Sequence, residues 1–165
     1  MSAPTSTLPA KEGRGKHPAL LCGDKAFTYQ QVAEASSRAG NALKAAGVKP
    51  GERVLLCLPD GPEFAFAWFG LIRIGAVGAM VNPLLHPKDY AYYLDYTEAT
   101  ALVVHDSLLE KLEPVIRQAK HLKVTLVVGD SFDKACREAS PTLEAHPTKA
   151  VDPALWLFTS GSTGE

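Results

Sequence analysis

The chain has 165 residues, of which 46% are apolar and 21% are charged, proportions close to those of an average globular domain. This length suffices for one domain that buries roughly 70% of its unfolded surface, which excludes a largely disordered chain and a small disulfide-stabilised scaffold. The 17 Lys and Arg are scattered among 18 Asp and Glu. A general nucleic-acid-binding surface is therefore excluded, because it requires a clustered basic excess.

The amino-terminal segment, the longest apolar run and the cysteines together predict a cytoplasmic protein. Residues 1–16 are rich in Ser, Thr and Pro, lack the apolar core of a secretory signal, and are predicted to form a flexible tail before a domain at 17–165. The apolar run at 64–81 is interrupted by Arg73 and three glycines, so it is not predicted to span a membrane. Three cysteines without a C-x-x-C pair indicate buried free thiols rather than a zinc site or a disulfide framework.

The first predicted elements are a hairpin and a helix. Short apolar stretches on either side of Gly23-Asp24-Lys25 predict two strands around a tight turn. Thr28 is predicted to cap the following helix, because its hydroxyl can accept a hydrogen bond from the first turn, with Gln31 three residues later. Gly47 is predicted to end this helix in a left-handed conformation.

From residue 54 onward, short apolar runs alternate with helical patterns. The runs are about five residues long and continuously apolar, as expected of strands covered on both faces. The predicted strands are 54–58, 76–81, 101–104, 124–128 and 154–158, the predicted helices are 62–74, 87–97 and 107–119, and 141–153 is a predicted loop. This alternation predicts an α/β fold with a mostly parallel sheet and helices on both faces. Such sheets bind ligands at the carboxyl ends of their strands.

The last predicted strand runs directly into a loop made only of Thr, Ser and Gly. Its residues are Thr159, Ser160, Gly161, Ser162, Thr163 and Gly164. The two glycines can adopt positive φ and expose their N–H groups, and the hydroxyls are rotatable donors, so the loop can form an anion-binding nest. A phosphate site is one interpretation and an ordinary Ser/Gly-rich turn is the other. The spacing differs from that of the common P-loop, which places Lys after its second glycine.

Three segments, in order, resemble the signature boxes of one enzyme superfamily. LFTSGSTG at 157–164 resembles the signature loop of the AMP-forming acyl- and aryl-CoA synthetases, luciferases and peptide-synthetase adenylation domains. FTYQQV at 27–32 is similar to that superfamily's (Thr/Ser)-Tyr-x-x-Leu box, and LIRIGAVGAMVNP at 71–83 to its Gly-Ala-x-x-x-x-x-(Asn/Asp)-Pro box. RVLLCL at 53–58 and NPLLHPKDYAY at 82–92 are most similar to benzoate- and related aryl-CoA ligases. The resemblance implies the amino-terminal portion of an adenylation domain, truncated at its phosphate-binding loop.

This resemblance implies an acid–thiol ligase that forms AMP. In the implied reaction a carboxylate, aromatic or otherwise small, attacks the α-phosphate of ATP, and the thiol of CoA then captures the acyl adenylate. Adenylation is needed because attack on a free carboxylate would have to expel oxide, whereas attack on the acyl adenylate expels AMP, a much better leaving group. Amide dipoles, hydroxyls, lysine and Mg²⁺ are expected to neutralise the charge that shifts to pyrophosphate.

The family's phosphate contacts can be carried over residue by residue. Those to the β- and γ-phosphates of ATP fall on Thr159, Ser160, Gly161, Ser162, Thr163 and Gly164. The family's Pro-Lys-Gly run, adenine pocket, Mg²⁺-binding glutamate and carboxyl-terminal lysine would lie beyond Glu165. The catalytic residues are therefore expected in the remainder of the polypeptide, no metal ligand is predicted here, and this segment alone is expected to be inactive. Many relatives carry Arg where Leu84 stands, so no CoA contact is assigned.

Two other functions stay open from the sequence. A fatty-acyl or amino-acid adenylating relative would carry the same boxes, because the acyl pocket is built mostly from residues after Glu165. A non-catalytic α/β binding module would have the same strands and would end in an ordinary Ser/Gly turn. The two enzyme classes differ in the acid they activate, and the module differs from both in lacking adenylation.

Two further patterns receive structural interpretations. Four tyrosines of the predicted 87–97 helix indicate a half-buried helix face rather than a surface that stacks on bases, because no basic residues are interleaved with them. They are Tyr90, Tyr92, Tyr93 and Tyr96. His105-Asp106 follows a predicted strand and is explained by a helix cap at Asp106 or Ser107 rather than by catalysis.

Overall fold

The computed structural model describes residues 13–158. Its strands are β1 (Pro18–Cys22), β2 (Lys25–Thr28), β3 (Arg53–Cys57), β4 (Val77–Met80), β5 (Ala101–His105), β6 (Val124–Val128) and β7 (Leu155–Leu157). Its helices are α1 (Tyr29–Ala45), α2 (Pro62–Arg73), α3 (Pro87–Tyr96), α4 (Asp106–Ile116) and α5 (Ser131–Glu138), preceded by a 3₁₀ turn at Arg14–Lys16. β1 and β2 form an antiparallel hairpin, and the other strands form a parallel sheet in the order β6-β5-β3-β4-β7.

Helices cover both faces of the parallel sheet. α1, α2 and α5 lie on one side, where Leu56 and Leu71 are fully buried, and α3 and α4 lie on the other, where Leu55 and Leu112 are fully buried. Consecutive side chains of a strand point to opposite faces, so each central strand contributes to both cores. This arrangement explains the continuously apolar runs and confirms the predicted α/β fold.

Helix α1 begins with the predicted capping box. The Thr28 hydroxyl accepts from the N–H of Gln31 at 3.2 Å, and the N–H of Thr28 donates to Oε1 of Gln31 at 2.8 Å. Gly47 lies just beyond the other end with φ of 96°, the left-handed conformation predicted for it. Both ends of the helix therefore follow from local sequence.

Replacing Thr28 with alanine is expected to lower the free energy of unfolding by about 1 kcal/mol, because the N–H of Gln31 loses its acceptor. Thr28→Ser keeps the hydroxyl and should retain most of the stability. Chemical denaturation of both variants in the full-length protein measures the difference. A Thr28→Ala variant as stable as Thr28→Ser would contradict the contribution of the cap.

Helices α1 and α2 approach each other at a pair of glycines. A Cβ atom added to Gly70 would lie 2.5 Å from the backbone N of Gly40 and 2.6 Å from the carbonyl O of Ser36. A Cβ atom added to Gly40 would lie 2.8 Å from the carbonyl O of Gly70. These distances leave no room for a side chain between the two backbones, so the crossing depends on glycine at both positions.

A long connection carries the chain from β6 at one edge of the sheet to β7 at the other. After α5 it contains no helix or strand, as predicted for 141–153. Side chains from α1 and α2 donate to its backbone carbonyls. The pairs are Arg38 with Ala139 at 2.5 Å, Asn41 with Thr142 at 2.9 Å, and Arg73 with Leu143 at 2.5 Å. The connection is therefore tied to the two helices that it crosses.

Helix α5 was not predicted from the sequence. It has only eight residues, and Phe132 is its one buried side chain. All the helices and strands that were predicted are present. Except for α4, their ends differ from the predicted ends by one residue at most. The three cysteines are free as predicted, with Cys57 buried and the other two partly buried.

Helix α4 differs from the prediction at both ends. It ends at Ile116 rather than 119, two residues after Pro114, which has no N–H to continue the helical hydrogen bonding. The predicted cap at Asp106 or Ser107 is wrong, because Nδ1 of His105 accepts from the N–H of Ser107 at 3.2 Å. The acceptor that caps the helix is therefore an imidazole nitrogen and not the predicted carboxylate or hydroxyl oxygen.

Candidate functional site

The strands of the parallel sheet run in the same direction, so their carboxyl ends lie side by side. This line of strand ends, here called the carboxyl-end edge, is where α/β sheets bind ligands. Three of the segments that leave the strands there are short and described in full. They are 58–61 after β3, 81–86 after β4 and 129–130 after β6. After β7 the structure describes Phe158. After β5 the chain enters α4 directly. Strand ends that are distant in the sequence therefore lie close together along the carboxyl-end edge.

Strand β7 leads toward the predicted phosphate loop. It pairs in parallel with β4, with Met80 opposite Leu157, so both chains leave the sheet at the same edge. Phe158 packs against α3, with its ring centroid 4.3 Å from that of Tyr93. This contact holds the ring of Phe158 against α3.

The predicted phosphate contacts lie outside the described residues. They are Thr159, Ser160, Gly161, Ser162, Thr163 and Gly164. The structure describes the strand that precedes them, up to Phe158. Their contacts with phosphate therefore stay a prediction, whereas the parallel strand predicted before them is present.

A tight turn follows β4, beside the exit of β7. The N–H of Leu85 donates to the carbonyl of Asn82 at 3.4 Å, and the N–H of Leu84 donates to Oδ1 of Asn82 at 2.8 Å. Pro83 occupies the first central position of the turn, where its fixed φ is favourable. The Leu84 side chain is 85% exposed. Asn82 thus shapes the turn with its own side chain and carbonyl.

Two buried titratable groups, Cys57 at the end of β3 and Tyr90 in α3, lie next to this turn. Both are fully buried. Burial raises the pKa of the Cys57 thiol, and burial together with the neighbouring Cys57 raises the pKa of the Tyr90 hydroxyl. Both groups keep their protons at neutral pH. Cys57 is therefore not a nucleophile, and Tyr90 is a hydrogen-bond donor.

The tyrosines of α3 form the predicted half-buried face. Tyr90 is buried and Tyr93 is partly buried against Phe158, whereas Tyr92 and Tyr96 are exposed. The sequence pattern predicted a half-buried face but did not indicate which of the four tyrosines would be buried. It contained no signal for the contact between Tyr93 and Phe158, because these residues come from distant parts of the sequence.

His105 lies at the same edge, at the end of β5. Its Nδ1 is 2.8 Å from Oγ of Ser107 and 2.9 Å from Oδ1 of Asp106. Because Nδ1 accepts the N–H of Ser107 and thereby caps the helix, it cannot also donate to the carboxylate of Asp106. The group is a helix cap and not a Ser-His-Asp relay, which uses both ring nitrogens. Within 13–158, no group of three or more His, Cys, Asp or Glu side chains could hold a metal ion. None of the helices in this range combines the length and the apolarity needed to cross a bilayer.

Curated proteins similar to this chain include several acid–CoA ligases and a CoA synthetase. The chain is 32% identical to the 3-hydroxybenzoate–CoA/4-hydroxybenzoate–CoA ligase of Thauera aromatica, over 94% of this chain and 31% of that protein. It is 34% identical to the benzoate–CoA ligase of Thauera aromatica, over 92% and 30%. It is also 33% identical to the acetyl-coenzyme A synthetase of Halorhodospira halophila, over 86% and 25%.

Solved structures show the same relationship. An anthranilate CoA ligase in complex with anthranoyl-AMP matches with a TM-score of 0.87 and 33% identity, over 95% of this chain and 30% of that one. A benzoate CoA ligase from Burkholderia xenovorans LB400 matches with a TM-score of 0.81 and 29% identity, over 88% and 30%. The chain spans less than a third of the length of these relatives. Because the family model described as AMP-binding enzyme matches residues 9–165, the chain belongs to the AMP-binding enzyme family.

Proposed function

We propose that residues 17–165 are the amino-terminal portion of the adenylation domain of an ATP-dependent aryl–CoA ligase, a cytoplasmic acid–thiol ligase that forms AMP. The observation that carries this proposal is the position of β7, which lies parallel to β4 and ends at the carboxyl-end edge directly before 159–164. Relatives named for hydroxybenzoate, benzoate and anthranilate support an aromatic acid as the substrate.

The loop at 159–164 has the donors needed to bind the β- and γ-phosphates of ATP. Backbone N–H groups exposed by Gly161 and Gly164 and the hydroxyls of the four Ser and Thr residues would donate to phosphate oxygens. Donors that are fixed in advance stabilise the charge that develops on pyrophosphate without reorganising during the reaction. Phe158, packed against Tyr93, anchors the chain immediately before the loop.

The proposed reaction has two steps. A carboxylate oxygen attacks the α-phosphorus of ATP, the bond to the bridging oxygen breaks, and pyrophosphate leaves with the electron pair. The sulfur of CoA, having lost its proton, then attacks the acyl carbon, and AMP leaves as the thioester forms. Mg²⁺ bound with ATP would neutralise phosphate charge, but residues 13–158 provide no ligand set for it, so no step is assigned to it. The acid pocket is assigned to the rest of the polypeptide.

Exchange between ATP and pyrophosphate in the full-length protein tests the proposal. Benzoate, 3-hydroxybenzoate and anthranilate should each support exchange, and adding CoA should yield the thioester. Acetate, a medium-chain fatty acid and a mixture of amino acids form the comparison set, and a reaction without acid is the control.

The pattern of active acids separates the alternatives. Exchange only with fatty acids, or only with amino acids, would move the substrate to that class while keeping adenylation. Absence of exchange with every acid, in a protein whose fold is intact by circular dichroism, would contradict adenylation and favour a non-catalytic binding module.

A further inference from the structure

We propose that a groove between β1, α1 and α2 is the docking site for an apolar segment of the polypeptide that continues after Glu165 in the full-length protein. The groove is formed by described residues alone. Its occupant rests on the proposed function, in which this chain is the amino-terminal portion of a longer one.

Helix α2 is apolar on every side. Its charged residues are Glu63 in the first turn and Arg73 in the last, and every residue between them is apolar. A helix with this composition is normally buried all round. At 12 residues it is also far shorter than the roughly 20 that a membrane-spanning helix needs. The composition of α2 therefore indicates that protein covers all of its faces.

In the part of the chain that the structure describes, one face of α2 stays open. Gly70 and Leu71 are buried, against α1 and in the core below the sheet. On the other side Phe64 and Trp68 are partly exposed, and Phe69 is 43% exposed. Residues 13–158 thus supply less cover than the sequence of the helix indicates.

The open face of α2 is one wall of an apolar groove with a volume of about 610 Å³. Leu20 of β1 and Tyr29 and Val32 of α1 contribute to the other walls, and Tyr29 is 57% exposed. Large apolar surfaces that stay open to water are unusual in soluble proteins and mark places where another group binds. The groove has the size and the lining of such a place.

The one charged side chain that lines the groove is already bonded elsewhere. The guanidinium of Arg73 donates to Oγ of Ser37 at 2.6 Å and to the carbonyl of Leu143 at 2.5 Å. These bonds hold it against α1 and the connection that follows α5. The groove therefore favours an apolar occupant over an anion.

The length of the relatives identifies the rest of the polypeptide as this occupant. The chain spans less than a third of their length, so more than two-thirds of such a protein lies outside it. A segment joined to the groove by the chain itself is present at a high effective concentration. It therefore has an advantage over any separate molecule of similar chemistry.

Two other occupants fit the groove less well. Residues 1–12 contain only Met1 and Leu8 as large apolar side chains, too few to cover the walls of the groove. A second copy in a symmetric dimer would place the groove against itself. Two concave surfaces do not fill each other, so such a dimer would leave the groove open.

Thiols introduced into the walls of the groove in the full-length protein test the proposal. Tyr29→Cys and Phe69→Cys place a thiol on α1 and on α2, and labelling with N-ethylmaleimide, resolved by peptide mass spectrometry, measures each rate. We expect both thiols to react about 100-fold more slowly than in the same variants unfolded by denaturant, because a covered thiol reacts only after local opening. If Phe69→Cys does not fold, Tyr29→Cys carries the test.

Tyr92→Cys is the matched control, because Tyr92 is 58% exposed and lies on α3, away from the groove. Its thiol should react within about fivefold of its rate in denaturant, as expected of an accessible cysteine. Folded Tyr29→Cys and Phe69→Cys variants that react as fast as Tyr92→Cys would overturn the docking site. Protection that is lost on about 100-fold dilution would show a second copy in the groove and would also overturn it.

A photoreactive benzophenone amino acid in place of Phe69 identifies the occupant directly. After irradiation of the full-length protein, we expect cross-links within one polypeptide to a peptide that follows Glu165. Cross-links to residues 1–12 or to a second copy would overturn the assignment of the occupant.

The two proposals fail in different ways. Protected thiols in a protein that shows no pyrophosphate exchange with any acid would refute adenylation and leave the docking site in place. Accessible thiols in a protein that does show exchange would overturn the docking site alone.

Discussion

Replacing Gly161 with valine in the full-length protein is expected to reduce ATP/pyrophosphate exchange about 100-fold or more, the scale of losing a fixed donor to a charged transition state. A β-branched side chain disfavours positive φ and would stand between the backbone N–H groups and the phosphate oxygens. The same result is expected for Gly164→Val. Initial rates of exchange at saturating acid measure the effect.

Measuring the two steps of the reaction separately distinguishes this effect from misfolding. Capture of supplied benzoyl-AMP by CoA does not require pyrophosphate to be stabilised, so it should be impaired less than exchange. Gly15→Ala is the control, because a Cβ atom there would lie 3.6 Å from Gln30, an ordinary contact. Equal loss of both steps in Gly161→Val would indicate a folding role and would count against the phosphate site.

Replacing Gly70 with alanine is expected to lower the free energy of unfolding by about 3 kcal/mol, at the upper end of the usual effect of overpacking. The added Cβ atom would lie 2.5 Å from the backbone N of Gly40 and 2.6 Å from the carbonyl O of Ser36. Neither atom belongs to a flexible side chain, so helices α1 and α2 must move apart. Chemical denaturation of the full-length protein, monitored by circular dichroism, measures the change.

Gly78→Ala is the matched control for this substitution. Gly78 is also buried, but a Cβ atom there would lie 3.6 Å from Cδ2 of Leu71 and 3.8 Å from Cδ1 of Trp68, which are ordinary contact distances. Its expected effect is below about 1 kcal/mol. If the two variants had equal stability, the close approach of the helices would not be the restraint inferred for it.

The parallel sheet could be predicted because strands buried on both faces are recognisable from their own continuously apolar residues. Residues 54–57 are continuously apolar, and the structure buries all four of them. The start of α1 could be predicted for a similar reason, since Thr28 and Gln31 interact within one turn. Helix α5 could not, because it is short and has one buried side chain, Phe132, which belongs to the same core as residues of α1 that are distant in the sequence.

The candidate site could be predicted less completely than the fold. The parallel strand before 159–164 follows from apolar pattern and order, but the turn at 82–85 is held by Tyr90 and Lys111 through bonds to carbonyls. Every residue has a carbonyl, so sequence gives no indication of which one a distant side chain will bind. The cap of α4 was placed wrongly for a related reason, because the sequence pattern did not distinguish the imidazole of His105 from its neighbours as an acceptor.

The crossing of the chain from β6 to β7 has a consequence for biosynthesis. β7 pairs with β4 through residues 78 and 155, which are far apart in the sequence, whereas β3, β4, β5 and β6 are joined by short helical connections. Contacts between distant residues form late, because the intervening chain must first be brought together. During translation, the first four strands of the sheet can therefore assemble before β7 has been synthesised. The strand that precedes 159–164 is then added to a scaffold that is already in place.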